Sequence, residues 1–334
     1  MTSPDTINAA VIGCGQMGCS FDDSAELRPF TYSHAATYAE HRSINLLSLY
    51  DINPRASQHY SDKYNCHSAK SLKEIFSCGK IDIISICTPP SQRLHLISQC
   101  IDQGVRAVFC EKPLALTLSE GKKIEQLCKS NNVALICNHL RRFSPFYSHL
   151  PDFLELDKTP TSISCQYGGG IFNTATHLLD TLHILAGAPL DLTVTSSFRK
   201  INDHDFNVDF NLILPPAISC SIQAVEAPLF EMRLIQPERE LLVNLTYPFN
   251  KNPLYHLRAS EKNPIFPLGR QFSPAPPPLS LKYTEEKHHH FMKKAADLLV
   301  EYLSGKVDLE DLSMYNGIVP LSIIDELLSK MPAT

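Results

Sequence analysis

The sequence predicts an α/β protein: a doubly wound parallel sheet first, then an α+β domain built on an open, mostly antiparallel sheet. Three observations carry this prediction. Short apolar runs alternate with helix-period segments through the first part of the chain. A glycine-rich turn directly follows the first run. After about residue 138, strand-like runs follow one another with one helix among them. The expected domains are therefore 1–138 and 139–334, with the C-terminal helices able to pack back on the first domain.

In order, the apolar runs fall at 8–12, 45–50, 81–87, 107–110 and 133–137. Between them, helical periodicity marks 31–41, 54–64, 72–76, 91–103 and 119–131, and Thr117-x-x-Glu120 has capping-box spacing. Later strands are expected at 161–167, 193–198, 206–214, 218–225, 230–235 and 240–245. The helix among them, 174–186, is ended by Gly187 with Pro189 just beyond. Six prolines in 263–280 predict an extended loop, and amphipathic helices are expected at 285–304 and 313–331.

Composition narrows the function. The chain has 334 residues, of which 43% are hydrophobic and 19% charged, an ordinary globular balance with room for two domains. A net charge of −5 offers no basic footprint for nucleic acid. No apolar run reaches the roughly 18 residues of a membrane span. The start, MTSPDTINAAVIG, lacks the features of a secretory signal, so a cytoplasmic protein is expected. The 11 cysteines contain no C-x-x-C, and several (Cys87, Cys110, Cys137) lie in apolar runs, which suits reduced thiols. No metal site is expected. His177 and His183 lie too far apart around a helix to pair on one, and His288–His290 reads as a solvated turn.

Only 13 residues are glycine, below an average of about 7%, so clustered glycines mark local backbone needs. Gly13-Cys14-Gly15-Gln16-Met17-Gly18 follows the first strand. The first glycine suits a tight turn, the second close approach of a pyrophosphate, and the third close helix–strand packing. This is the Rossmann fingerprint, with phosphates held by N–H groups at the helix start. Asp51 ends the next strand, where it can bind the ribose hydroxyls and repel a 2′-phosphate, favouring NAD over NADP. It lies 33 residues past Gly18 where roughly 20 is usual, so 19–30 is expected to be an insertion. Arg55 keeps an NADP reading open. The carboxyl ends of the other strands complete the expected cofactor set: Cys87, Thr88 and Pro89, Glu111 and Lys112, and Asn138.

Two groups of residues suggest chemistry. Glu111-Lys112-Pro113 follows a strand, which aims Lys112 at the cofactor crevice; Pro113 suits a fixed turn, including a cis bond. Gly168-Gly169-Gly170 implies backbone brought close to something, after which Asn173 can cap a helix. His177 is one turn further on the same face, and Asp180 follows it. An imidazole, which ordinarily titrates near 6.5, suits removal of a proton from an alcohol. A plainer reading makes Asn173 only a cap and His177 a core histidine satisfied by Asp180.

The motifs GCGQMG, SHAATY, TPP, EKPLA, NHLRRF and GGGIFNTATHLLD together resemble the Gfo/Idh/MocA family, named for glucose-fructose oxidoreductase and inositol dehydrogenase. The resemblance runs from about residue 7 to 189 and returns in the last helices. It implies a Rossmann domain joined to an α/β domain whose open sheet serves in homodimers or homotetramers. It also implies NAD(P)-dependent oxidation or reduction of sugars, cyclitols or nucleotide sugars. Lys112 would be the catalytic lysine and His177 the acid/base residue. Asn173 stands where many members have Asp, although some nucleotide-sugar 3-dehydrogenases of the family have Asn. Arg93 stands where the TPxxxH stretch usually has His. The expected activity is thus an NAD-dependent oxidoreductase acting on a sugar or nucleotide sugar, with Lys112 and His177 meeting at the substrate. The alternative is a non-catalytic dinucleotide- or sugar-sensing regulator.

Overall fold

The computed structural model describes residues 6–27, 31–143, 147, 156, 161–227, 229–236, 239–244, 255–259 and 291–331. The proline-rich segment 263–280 and the run His288–His290 lie outside them. The chain divides into two compact units, Met1–Ser144 with His289–Ser322, and Pro145–His288 with Ile323–Thr334. The helices, in chain order, are α1 (His34–Glu40), α2 (Pro54–Tyr64), α3 (Leu72–Ile75), α4 (Arg93–Asp102), α5 (Leu118–Ser130), α6 (Thr176–Ala186), α7 (Phe291–Leu303) and α8 (Ile318–Ser329).

The first unit is built on strands β1 (Ile7–Ile12), β2 (Ile44–Tyr50), β3 (His67–Ala69), β4 (Ile83–Ile86), β5 (Ala107–Cys110) and β6 (Ala134–Cys137). They lie in the order β3-β2-β1-β4-β5-β6, all parallel. Every residue of β4, β5 and β6 is buried, which explains why these strands read as unbroken apolar runs rather than alternating ones. Local signals start the helices. Asn53 accepts a hydrogen bond from Arg55 N ahead of Pro54, and Thr117 accepts one from Glu120 N. The turn Leu140–Phe143 belongs with this unit: Arg142 donates to Met314 O, and Phe143 stacks on Tyr315 at 5.5 Å. Strand order reverses between β1 and β4, so the crevice of a doubly wound sheet opens at their carboxyl ends.

The second unit holds a seven-stranded sheet in the order β15-β14-β13-β7-β12-β11-β8. Its strands are β7 (Ser162–Tyr167), β8 (Asp191–Val194), β11 (Phe210–Leu214), β12 (Ile218–Ala224), β13 (Phe230–Gln236), β14 (Arg239–Asn244) and β15 (Tyr255–Ala259). Only β7 and β12 pair in parallel. On β12, buried Ile218, Cys220 and Ile222 alternate with Ser219, Ser221 and Gln223, so one face is apolar and the other polar. A hairpin of β9 (Arg199–Asn202) and β10 (Asp205–Asn207) stands apart from the sheet. The single strand expected at 206–214 is therefore two, for a visible reason. The buried Tyr167 hydroxyl donates to Val208 O (2.9 Å) and accepts from Val208 N (3.0 Å), taking that peptide out of any ladder.

Candidate functional site

At the carboxyl end of β1 the three glycines of the turn meet different needs. Gly13 has φ +97°, and a Cβ there would lie 2.9 Å from the Cys87 carbonyl at the end of β4. A Cβ on Gly18 would lie 1.9 Å from Gly13 O, so the turn closes only around a bare Cα. Gly15 is exposed, with nothing within 4 Å of the Cβ position, leaving its backbone open to a ligand. Gly18→Ala is expected to destabilise the first unit by more than about 1 kcal/mol, because backbone cannot yield as a side chain would. Chemical unfolding of the variant measures this.

The structure accounts for the long spacing to Asp51. His34 N donates to Met17 O (2.9 Å) and Ala35 N to Gly18 O (2.9 Å). A continuous helix would use residues 21 and 22, so thirteen residues are looped out before helical bonding resumes. Without them Asp51 would stand 20 residues past Gly18, the usual distance. The loop carries a 3₁₀ helix, Ser20–Leu27, and is tied down by two acids. Asp22 accepts from Tyr32 N (2.9 Å) and Ser33 N (2.7 Å), and Asp23 accepts from Tyr60 Oη (2.5 Å) and Lys63 Nζ (2.8 Å).

Asp51 itself is fixed by backbone. One carboxylate oxygen accepts from Cys14 N (2.7 Å) and the other from Asn53 N (2.7 Å), which locks the strand end to the glycine turn. Beside it Ile52 is 87% exposed, an apolar side chain held out at the rim.

At the ends of β4, β5 and β6 lies a buried polar cluster that sequence reading did not assemble. His34 bonds Ser85 Oγ through Nδ1 (2.8 Å) and Glu111 Oε1 through Nε2 (3.0 Å). Tyr38 Oη lies 2.8 Å from Ser85 Oγ, and Asn138 Nδ2 donates to Glu111 Oε1 at 2.6 Å. The one signal in the sequence is Ser85, a polar residue inside an otherwise apolar strand. Burial by itself pushes the Glu111 carboxyl up, but the hydrogen bonds from His34 and Asn138 and the charge of Lys112 hold it below the ordinary carboxylate range. A depressed folded value adds stability that is fully present above the unfolded value of about 4.3 and is lost as pH falls through the folded one. Thermal melting from pH 6 downward should therefore show stability falling in acid, and Glu111→Gln should flatten that fall.

The Lys112–Pro113 bond is cis, and Lys112 N donates to Glu111 Oε2 at 3.2 Å. Two buried acceptors at this edge, Thr88 Oγ1 and Asn138 Oδ1, have no hydrogen-bond partner among the described residues. Orphaned polar atoms at the carboxyl ends of these strands fit a polar cofactor rather than a closed core. Among the described residues no group of three or more His, Cys, Asp or Glu is placed to hold a metal ion.

In the second unit the glycine run has a structural cause. A Cβ on Gly168 would lie 1.8 Å from Ala227 O, and one on Gly170 would lie 2.1 Å from Asp205 Oδ2. Asn173 does not cap the helix as expected. The helical backbone begins at Ile171 with a π turn that runs into α6, so Asn173 lies inside it. Asp205, from β10, takes the capping role and accepts from Phe172 N (3.1 Å) and Asn173 N (3.0 Å). Asn207 Oδ1 accepts from Gly170 N at 3.2 Å. The Asn173 side chain is thereby left exposed, with His177 half-buried one turn on and Asp180 fully buried.

Strand order, glycine turn and strand-terminal acid define the first unit as a dinucleotide-binding Rossmann fold. Its residues 7–139 match the Gfo/Idh/MocA sequence model, described as an oxidoreductase family with an NAD-binding Rossmann fold. It is 23% identical over 209 residues to an inositol 2-dehydrogenase of Rhizobium meliloti, covering 58% of this chain and 59% of that protein. The chain covers 28% and 44% of two further curated oxidoreductases, so it matches only part of such relatives. Among solved structures, UDP-N-acetylglucosamine 3-dehydrogenase GnnA from Acidithiobacillus ferrooxidans superposes with a TM-score of 0.70 at 17% identity, covering 97% of both chains. A 3-ketoreductase from Actinomadura kijaniata in complex with NADP gives 0.72 at 13% identity over 98% of both. These likenesses are of fold alone.

Proposed function

We propose that the protein is an NAD(H)-dependent oxidoreductase that interconverts a secondary hydroxyl and a keto group on a sugar or nucleotide sugar. The observation that carries this reading is a single sheet edge. The turn Gly13–Gly18, Asp51, Thr88, Lys112 and Asn138 each follow the carboxyl end of a parallel strand of that sheet. Here the backbone N–H groups of Gly15, Gln16, Met17 and Gly18 would hold a pyrophosphate, while Cys14, its own N–H held by Asp51, would contribute its place in the turn. Asp51 would accept the ribose hydroxyls and Ile52 would cover an adenine face. Cys87, Thr88, Pro89, Glu111 and Asn138 would line the remainder.

A bound nicotinamide supplies the hydride acceptor or donor, which no side chain provides. Lys112 donates a hydrogen bond to the reacting oxygen and stabilises its alkoxide character. His177 takes the proton of the hydroxyl or returns it to the ketone, and Asn173 orients His177 or a substrate hydroxyl. The same groups serve both directions.

The test is incubation with NAD⁺ or NADH and a panel of sugars, cyclitols and nucleotide sugars that includes myo-inositol and UDP-N-acetylglucosamine. Mass spectrometry should show one member losing or gaining two hydrogens. NADH binding without turnover of any member would replace this reading with that of a sensor.

A further inference from the structure

We propose that Arg93 is a positioning residue that sets the place of Lys112. Arg93 opens α4 and is 3% exposed, yet makes no ion pair among the described residues. Its guanidinium instead gathers three backbone carbonyls. Nε and Nη2 donate to Thr88 O (3.0 and 2.8 Å), and Nη1 donates to Glu111 O and to Pro113 O. The last two carbonyls bracket Lys112, one on the peptide entering it and one on the residue after its cis bond. One planar group therefore staples the end of β4 to both sides of the lysine-bearing turn.

The location makes a merely stabilising role a poor explanation. A cation in the first turn of a helix has the wrong sign for the helix dipole, and a buried cation without a carboxylate is costly. What the site gains is geometry. A guanidinium presents five N–H groups in a fixed fork, whereas a lysine ammonium is a point charge and cannot span the same three carbonyls. The inference rests on the reading of Lys112 given above, since a fixed turn matters to turnover only if Lys112 touches the reacting oxygen.

The experiment compares the full-length protein with Arg93→Ala, Arg93→Lys and Lys112→Ala. Hydrogen–deuterium exchange over residues 110–116 reads the turn directly, and kcat, KM and NADH affinity are taken with the panel member that turns over. In Arg93→Ala, exchange should rise and kcat should fall by about 10²-fold, the cost of a small misplacement, while KM and NADH affinity hold. Millimolar guanidinium should restore both, and methylammonium neither. If Arg93→Ala does not fold, Arg93→Lys should show raised exchange and lowered kcat in its place. Unchanged exchange, or rescue by methylammonium as readily as by guanidinium, overturns the proposal. If Lys112→Ala abolishes turnover while the Arg93 variants keep it, the Arg93 inference alone fails. If Lys112→Ala turns over normally, the reading of Lys112 fails and this inference falls with it.

Discussion

Replacing Lys112 by methionine is expected to lower kcat by about 10²–10³-fold, and replacing His177 by alanine by about 10²–10⁴-fold, with NADH affinity little changed in either. The first magnitude is that of removing one donor aimed at developing negative charge. The second is that of removing a positioned acid/base group. Methionine keeps the length and apolar stem of lysine, so the fold of the turn should survive; Lys112 N still meets Glu111, and the Arg93 carbonyl contacts involve backbone alone. His177 is half-buried on α6, where the helix start is held by Asp205 rather than by the imidazole. Both variants should therefore remain folded. Unchanged kcat in either would remove that residue from the proposed mechanism, and lost NADH binding would move Lys112 to a purely cofactor role.

The first unit is largely legible in the sequence because its β4, β5 and β6 strands are buried throughout and several of its helices carry their own caps. β4, β5 and β6 can be read from composition alone, and α2 and α5 from Asn53-Pro54 and Thr117-x-x-Glu120. β3 escapes this reading, since three residues at a sheet edge leave no periodicity. The site divides along the same line. The glycine turn and Asp51 announce themselves because phosphate and ribose recognition use local backbone. The cluster of His34, Ser85, Glu111 and Asn138 is hidden because topology, not spacing, brings four strand and helix ends together. Asp205 is invisible for the same reason: nothing within its own segment shows that a helix starting more than thirty residues earlier will need a carboxylate. Asn173 drew the capping role in the sequence because it is a good local candidate. A distant carboxylate with two acceptor oxygens displaces it.

Asp51→Asn is expected to raise the NADP-to-NAD ratio of kcat/KM by about 10²-fold or more, with little loss of stability. The argument turns on what the carboxylate does in the folded chain. Two like unit charges about 4 Å apart near a protein surface repel by about 4 kcal/mol, and a 2′-phosphate carries more than one charge, so the carboxylate excludes it strongly. Asparagine removes that repulsion. The structure also tells which substitution to choose. Both oxygens of Asp51 are engaged by backbone, one by Cys14 N and one by Asn53 N, each at 2.7 Å. Asparagine keeps one acceptor for these two donors, and turning its oxygen toward Cys14 preserves the tie to the glycine turn while Asn53 N reaches solvent. Alanine would strand the Cys14 N–H in a residue that is 3% exposed, at a cost of about 1–3 kcal/mol. Asp51→Ala should thus weaken binding of both dinucleotides by loosening the turn, whereas Asp51→Asn changes the preference between them. Titrating each variant with NADH and NADPH by fluorescence separates the two effects. An Asp51→Asn protein that still rejects NADPH would show that discrimination resides elsewhere, and Arg55, the second residue of α2, would be the next position to vary.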